Sequence, residues 1–143
     1  MTVTFFGHRD TPESVKIPLR SLLLDLIQNY GASHFLVGNH GSFDRMVWST
    51  LQELKRAMPD IEATVVLAYI PLQKNPYADY GENTVVPYGL ENVPKKFAID
   101  KRNLWMIEQA DAVVCYVKYQ TGKAAYYCKK AERKGKKIWN VSI

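Results

Sequence analysis

Cysteine is scarce in this chain: 143 residues hold two, Cys115 and Cys128, each inside an apolar stretch. Such a pair excludes a disulfide scaffold or a cysteine-based metal site and reads as small buried hydrophobes of a reducing compartment. Long hydrophobic runs are also missing. The longest apolar stretches fall far short of the roughly 20 residues that span a bilayer, and no basic segment followed by an apolar run opens the chain. The expectation is a cytoplasmic protein with no membrane contact. There is no internal repeat, no low-complexity segment and no tight two-residue hairpin signal. What is present is ordinary globular composition, 47% hydrophobic and 23% charged, which excludes a disordered chain and suffices for one domain with its own core.

Acidic residues are few at one end only. Residues 116–143 carry eight basic side chains (Lys118, Lys123, Lys129, Lys130, Arg133, Lys134, Lys136, Lys137) against one acidic, Glu132, whereas residues 1–115 hold eleven basic and thirteen acidic groups. The net charge of +5 is therefore a local property of the C-terminal segment. It reads first as the solvated face of a helix, with a nucleic-acid surface as the alternative.

Hydrophobic periodicity orders the rest. Thr2 to Phe6 is a β-branched and aromatic run stopped by Gly7, a buried strand. Thr11-Pro12 predicts a helix start, with Thr11 as N-cap, and Val15, Leu19, Leu22, Leu23, Leu26 and Ile27 recur at helical spacing to Tyr30 and Gly31. Pro18 inside that pattern predicts an irregular beginning. His34 to Gly38, Ile61 to Ile70, Ala112 to Val117 and Ile138 to Val141 read as further strands, and Phe43 to Ala57, Phe97 to Gln109 and Gly122 to Lys134 as helices. Between residues 71 and 96 four prolines, Gly81, Gly89 and several tyrosines dissolve the pattern, which predicts a long functional loop or lid. The alternation predicts an α/β fold: a single Rossmann-like three-layer domain over residues 1–143 with a mostly parallel sheet of about five strands.

Such a sheet binds ligands outside the carboxyl ends of its strands, where this chain places Gly7-His8-Arg9-Asp10, Gly38-Asn39-His40-Gly41-Ser42-Phe43-Asp44 and Tyr119-Gln120-Thr121-Gly122-Lys123. Gly38 and Gly41 flank a strand-to-helix turn that lets backbone amides approach phosphate or ribose oxygens, or that simply turns the chain. Gly122 repeats the device, with Thr121 as N-cap. Arg9 brings a five-donor cation to the same edge, or pairs with Asp10 or Asp44. His8 reads as a hydrogen-bonded structural residue more readily than as a base. Asp44 either stabilises a helix end or accepts from a ribose hydroxyl. Arg102 and Asn103 either reach the crevice from the third helix or lie on its exposed face.

The ordered set Thr4-Phe5-Phe6-Gly7-His8-Arg9, Gly38-x-x-Gly41-x-Phe43-Asp44, Lys101-Arg102-Asn103-Leu104-Trp105-Met106-Ile107-x-x-Ala110-Asp111, Thr121-Gly122-Lys123-Ala124 and Gly135-Lys136-Lys137-Ile138 resembles the SLOG superfamily. In particular it is similar to small bacterial and phage SLOG proteins related to YpsA; the superfamily includes the Smf/DprA proteins and the Lonely Guy phosphoribohydrolases. The resemblance implies a nucleotide or nucleotide-derived ligand held by the glycine turns at Gly38, Gly41 and Gly122, with roles for Arg9, Asp44, Arg102 and Asn103 at the pocket; the strand-end reading adds Gly7, His8, Ser42, Thr121 and Lys123 to the candidate ligand-binding set. Two turns depart from the family pattern: Gly38-Asn39-His40-Gly41 stands where Gly-Gly-Ala-x-Gly is common, and Thr121-Gly122-Lys123 where Gly-Gly-Thr is. The Lonely Guy signature Pro-Gly-Gly-x-Gly-Thr with its catalytic glutamate has no counterpart.

The leading expectation is thus a module that senses or sequesters a nucleotide-like ligand, with no cofactor and no metal. A nucleotide N-glycosidase with Asp44 as its catalytic carboxylate is the first alternative. Single-stranded DNA binding through the basic last helix and Tyr119 and Tyr126 is the second. A homo-oligomer is a further partner compatible with the sequence.

Overall fold

The computed structural model describes residues 1–69 and 83–142. Strand β1 (Thr2–Gly7) leads through a single 3-10 turn, Glu13–Val15, into helix α1 (Lys16–Asn29). Strand β2 (His34–Val37), helix α2 (Gly41–Ala57) and strand β3 (Glu62–Val66) follow. After a two-residue strand β4 (Thr84–Val85) and a second 3-10 turn, Leu90–Asn92, come helix α3 (Lys95–Gln109), strand β5 (Ala112–Tyr116), helix α4 (Lys123–Arg133) and strand β6 (Lys137–Asn140).

The strands form one parallel sheet in the order β4-β3-β2-β1-β5-β6. This is one strand more than the periodicity predicts, since Thr84–Val85 is too short to show a period. The pair adds beside β3, and Leu67 donates to the Val85 carbonyl at 2.8 Å. Residues 83–96 of the predicted loop are therefore partly regular, and residues 71–82 of it lie outside the described residues. The strand predicted over Ile61–Ile70 ends at Val66, although Leu67 and Ala68 remain buried.

Side chains alternate across the sheet, and each face has its own helices. Val3, Phe5, Phe35, Val37 and Val114 point to the side covered by α1 and α2, while Phe6, Leu36, Val113 and Cys115 point to α3 and α4. Burial on both faces is why the strands read as continuous apolar runs. Cys115 and Cys128 are free thiols buried in the second layer. The spacing on α4 predicts Ala124, Tyr127, Cys128 and Ala131 inward and Lys123, Lys130, Arg133 and Lys134 outward; the first four are buried, Lys123, Arg133 and Lys134 are exposed, and Lys130 is half-buried.

Pro18 is tolerated because it stands in the first turn of α1, where amides have no intrahelical partner. Thr11 is not a helix cap. Its hydroxyl donates to the His8 carbonyl at 2.7 Å and its amide donates to the Ser42 hydroxyl. These bonds fold the segment after β1 against the start of α2.

Phe43 at the start of α2 packs flat on β1: a Cβ added at Gly7 would meet its ring at 2.2 Å. Gly7→Ala therefore forces either the Phe43 ring or the strand end to move. We expect it to lower the unfolding free energy by about 1–3 kcal/mol in urea titrations, as overpacking of a core does.

Candidate functional site

Strand order reverses between β1 and β5, and a crevice of about 450 Å³ opens over the carboxyl end of β1. Its walls come from β1 and the following turn, the β2–α2 turn, α3 and α4. A doubly wound sheet leaves an opening there because successive helices depart to opposite faces. Register deepens it: β1 pairs with β5 as far as Gly7 but with β2 only as far as Thr4.

Seven of the sequence-predicted residues line this crevice: Gly7, His8, Arg9, Asp44, Arg102, Asn103 and Lys123. Gly38 lies just beneath it. A Cβ there would stand 2.8 Å from Asp44 Oδ2 and 3.2 Å from the Arg102 guanidinium, so only glycine lets both side chains settle on the backbone. Gly41 has φ of 91° and abuts the Arg9 backbone. Ser42 acts as a clasp, its hydroxyl donating to the Arg9 carbonyl at 2.7 Å. Thr121 and Gly122 stand at the start of α4, but neither is among the lining residues.

Sequence reasoning did not single out His40, Phe6, Ile99, Met106, Ala124 or Tyr127, which also line the crevice. The signal was available on α3, where Ile99, Arg102, Asn103 and Met106 follow one another at helical-face spacing. Tyr127, on the apolar face of α4, serves both core and crevice. It stacks on Phe6 with ring centroids 5.2 Å apart, and its hydroxyl donates to Asp100 Oδ1 at 2.6 Å.

Arg102 is 2% exposed, the opposite of a surface residue. Its Nε donates to Asn103 Oδ1 at 2.8 Å, and Nη1 donates to Asn39 Oδ1 at 3.0 Å and to the Val66 carbonyl at 2.9 Å. Nη2 lies 3.2 Å from His40 Nδ1. Burial lowers its affinity for the proton and the Asp44 charge opposes that shift. A buried cation persists only with its donors satisfied in this way.

Asp44 Oδ2 accepts from the His40 amide at 2.9 Å, which caps α2. The Arg9 carbonyl takes the Ser42 amide at 2.8 Å, so the start of α2 is largely closed by the protein itself. The start of α4 is different. Gly122 is its N-cap with no side-chain cap, and among the described residues the amides of Lys123, Ala124 and Ala125 have no partner. Arg9 is exposed, and its guanidinium makes no hydrogen bond or ion pair among the described residues. His8 Nε2 accepts from the Lys118 amide at 2.9 Å, which places its ring hydrogen on Nδ1 and ties the end of β1 to the segment after β5.

No family model matches the sequence, and no curated protein does. Solved structures do. The chain superposes on DNA processing protein A from Helicobacter pylori, a structure concerned with that protein's single-stranded DNA binding mode, with a TM-score of 0.71 at 17% identity over 98% of this chain. The two share a Rossmann-like fold. DNA processing protein A from Streptococcus pneumoniae matches with a TM-score of 0.70 at 14% identity over 97% of this chain. The chain spans 64% of the first of these proteins and 49% of the second. Identity this low carries the Rossmann-like architecture and not the activity. Among the described residues no helix is long and apolar enough to cross a membrane.

Two titrations mark the crevice. Desolvation raises the Asp44 carboxyl to about 6, against the pull of the His40 amide and Arg102. Desolvation, with Arg102 and Arg9 nearby, lowers His40 to about 4. A raised carboxyl favours folding only while protonated, so its stabilising effect is present below about pH 4 and is lost as pH rises through 6. A lowered histidine contributes stability above pH 6.5 that is lost as pH falls towards 4. Asp44→Asn should therefore gain on the wild type, by on the order of 2 kcal/mol, between pH 4 and pH 8. Denaturant melts of both proteins across that range measure it.

Proposed function

We propose that this chain is a nucleotide-binding domain whose crevice holds a nucleotide or nucleotide-derived ligand. The observation that carries this reading is the division of the crevice into two chemistries. Phe5, Phe6, Ile99, Met106, Ala124 and Tyr127 supply an apolar, partly aromatic wall, and Arg9, His40, Asp44 and Arg102 supply a polar one. A base suits the first and a sugar phosphate the second. Arg9, the open start of α4 and Lys123 are the groups left to receive a phosphate. The volume is within the range of about 300–1,000 Å³ usual for small-molecule sites.

Single-stranded DNA is the second reading, favoured by the fold shared with DNA processing protein A. Two exposed tyrosines fit it as stacking surfaces: Tyr119 at 62% and Tyr126 at 51% exposure, the latter with Lys130 Nζ 5.4 Å from its ring centroid. One nucleotide of a strand would then enter the crevice while its neighbours follow the lysine-rich α4. The N-glycosidase reading has less support. Asp44 is its best carboxylate, yet one oxygen already caps α2 and no second carboxylate lines the crevice among the described residues.

A thermal-shift panel of ribonucleoside and deoxyribonucleoside monophosphates tests the main reading. Bound ligand should raise the melting temperature progressively with concentration, and Arg9→Ala should weaken affinity about tenfold or more, as loss of a charge-assisted bond does. A flat response across the panel would remove the crevice assignment. Oligonucleotide binding that falls steeply with salt in fluorescence anisotropy would favour the DNA reading instead. Chromatography of the incubated ligand decides turnover: released free base indicates the glycosidase.

A further inference from the structure

We infer that the crevice reads the sugar of its ligand, with Asp44 and His40 together selecting a ribose, through its vicinal hydroxyls, over a 2′-deoxyribose. This rests on the nucleotide reading above and adds to it which kind of nucleotide is taken.

The geometry begins at Asp44. Its Oδ2 is held by the His40 amide at 2.9 Å, and the carboxylate is seated on Gly38, where a Cβ would approach that oxygen to 2.8 Å. The seat fixes the group and leaves Oδ1 as an acceptor with no hydrogen-bond donor among the described residues. His40 is oriented by a different constraint. Arg102 Nη2 lies 3.2 Å from His40 Nδ1, and a guanidinium has only donors, so Nδ1 must be the lone-pair nitrogen and Nε2 must carry the hydrogen. The β2–α2 turn therefore presents a fixed acceptor and a fixed donor, and both residues line the same crevice.

A vicinal diol complements that pair. One hydroxyl donates to the carboxylate while its neighbour accepts from the imidazole N–H. Removing the 2′-hydroxyl leaves one of the two protein groups without a partner in a partly desolvated site, and such a loss discriminates strongly. The raised carboxyl and the lowered imidazole are the shifts of groups short of solvent, which a ligand's hydroxyls would relieve.

The placement of the pair favours the sugar over the base. Arg9 abuts Gly41 on the phosphate side, and the aromatic and aliphatic wall of Phe6, Ile99, Met106 and Tyr127 lies on β1, α3 and α4. Asp44 and His40 thus stand where the sugar falls between a phosphate on Arg9 and a base on the apolar wall.

Calorimetric titration of the whole chain with the four ribonucleoside 5′-monophosphates and their 2′-deoxy counterparts tests this. The ribo form of whichever base binds best should be favoured about tenfold or more. Asp44→Asn keeps an acceptor for the His40 amide, so it should remain folded by circular dichroism while the preference shrinks below about threefold, chiefly by weakening the ribo form. Ribose 5-phosphate should compete with the bound nucleotide, and free base should not. Equal affinity for the two sugars overturns the inference and leaves nucleotide binding standing. A ribose preference unchanged in both Asp44→Asn and His40→Ala overturns the assignment to these residues. Binding of none of the monophosphates removes the nucleotide reading and this inference together.

Discussion

The buried guanidinium of Arg102 joins segments far apart in the chain. From α3 it reaches the Asn39 side chain after β2, the Val66 carbonyl at the end of β3 and the His40 ring. Its Nε also holds Asn103, so that side chain faces the crevice in a fixed orientation. A cation removed from water is stable only where its donors are matched, and here two of the matching partners, His40 and Asn103, line the crevice. The position of α3, the tautomer of His40 and the close seat of Asp44 over Gly38 all follow from that arrangement.

The same interaction gives the crevice its asymmetry. On the α2 side Asp44 takes the His40 amide and the Arg9 carbonyl takes the Ser42 amide, so two of the amides at that helix start are bound by the protein itself. On the α4 side the helix start is open and flanked by Lys123. Two turns that look alike as glycine-containing strand-to-helix junctions thereby differ in what they offer the crevice, one the Asp44 and His40 side chains and the other a helix start with its positive dipole end and Lys123. The solved DNA processing protein A structures share the fold but at identities of 14–17%, so the chemistry must be argued from these side chains themselves.

Much of the fold was legible because burial on both faces writes continuous apolar runs into parallel strands and spaced apolar positions into helices. The alternation of elements, the inward face of α4 and the irregular start of α1 all follow from that patterning. β4 was not legible, since two residues carry no period and pair only because β3 offers an open edge. Thr11 shows another limit: its position before Pro12 suits a cap, but a carbonyl three residues back offered the hydroxyl a closer partner. For the site, the sheet rule points to the edge where the crevice opens and to seven of its lining residues, but not to His40 or Tyr127. A histidine in a turn and a tyrosine on an apolar helix face look structural until the neighbouring elements are placed.

The sequence by itself determined the layered α/β architecture, the edge of the sheet where the crevice opens and the confinement of excess positive charge to the C-terminal segment. Only the tertiary structure decided what each polar residue does there. Arg102 reads as an exposed helical residue or a crevice residue from the chain alone, and folding put it at the crevice but buried, because α3 lies against the ends of β2 and β3 and their carbonyl and amide oxygens take up its hydrogens. Patterning is a local property of the chain, whereas the satisfaction of a buried charge depends on groups that meet only when distant segments pack.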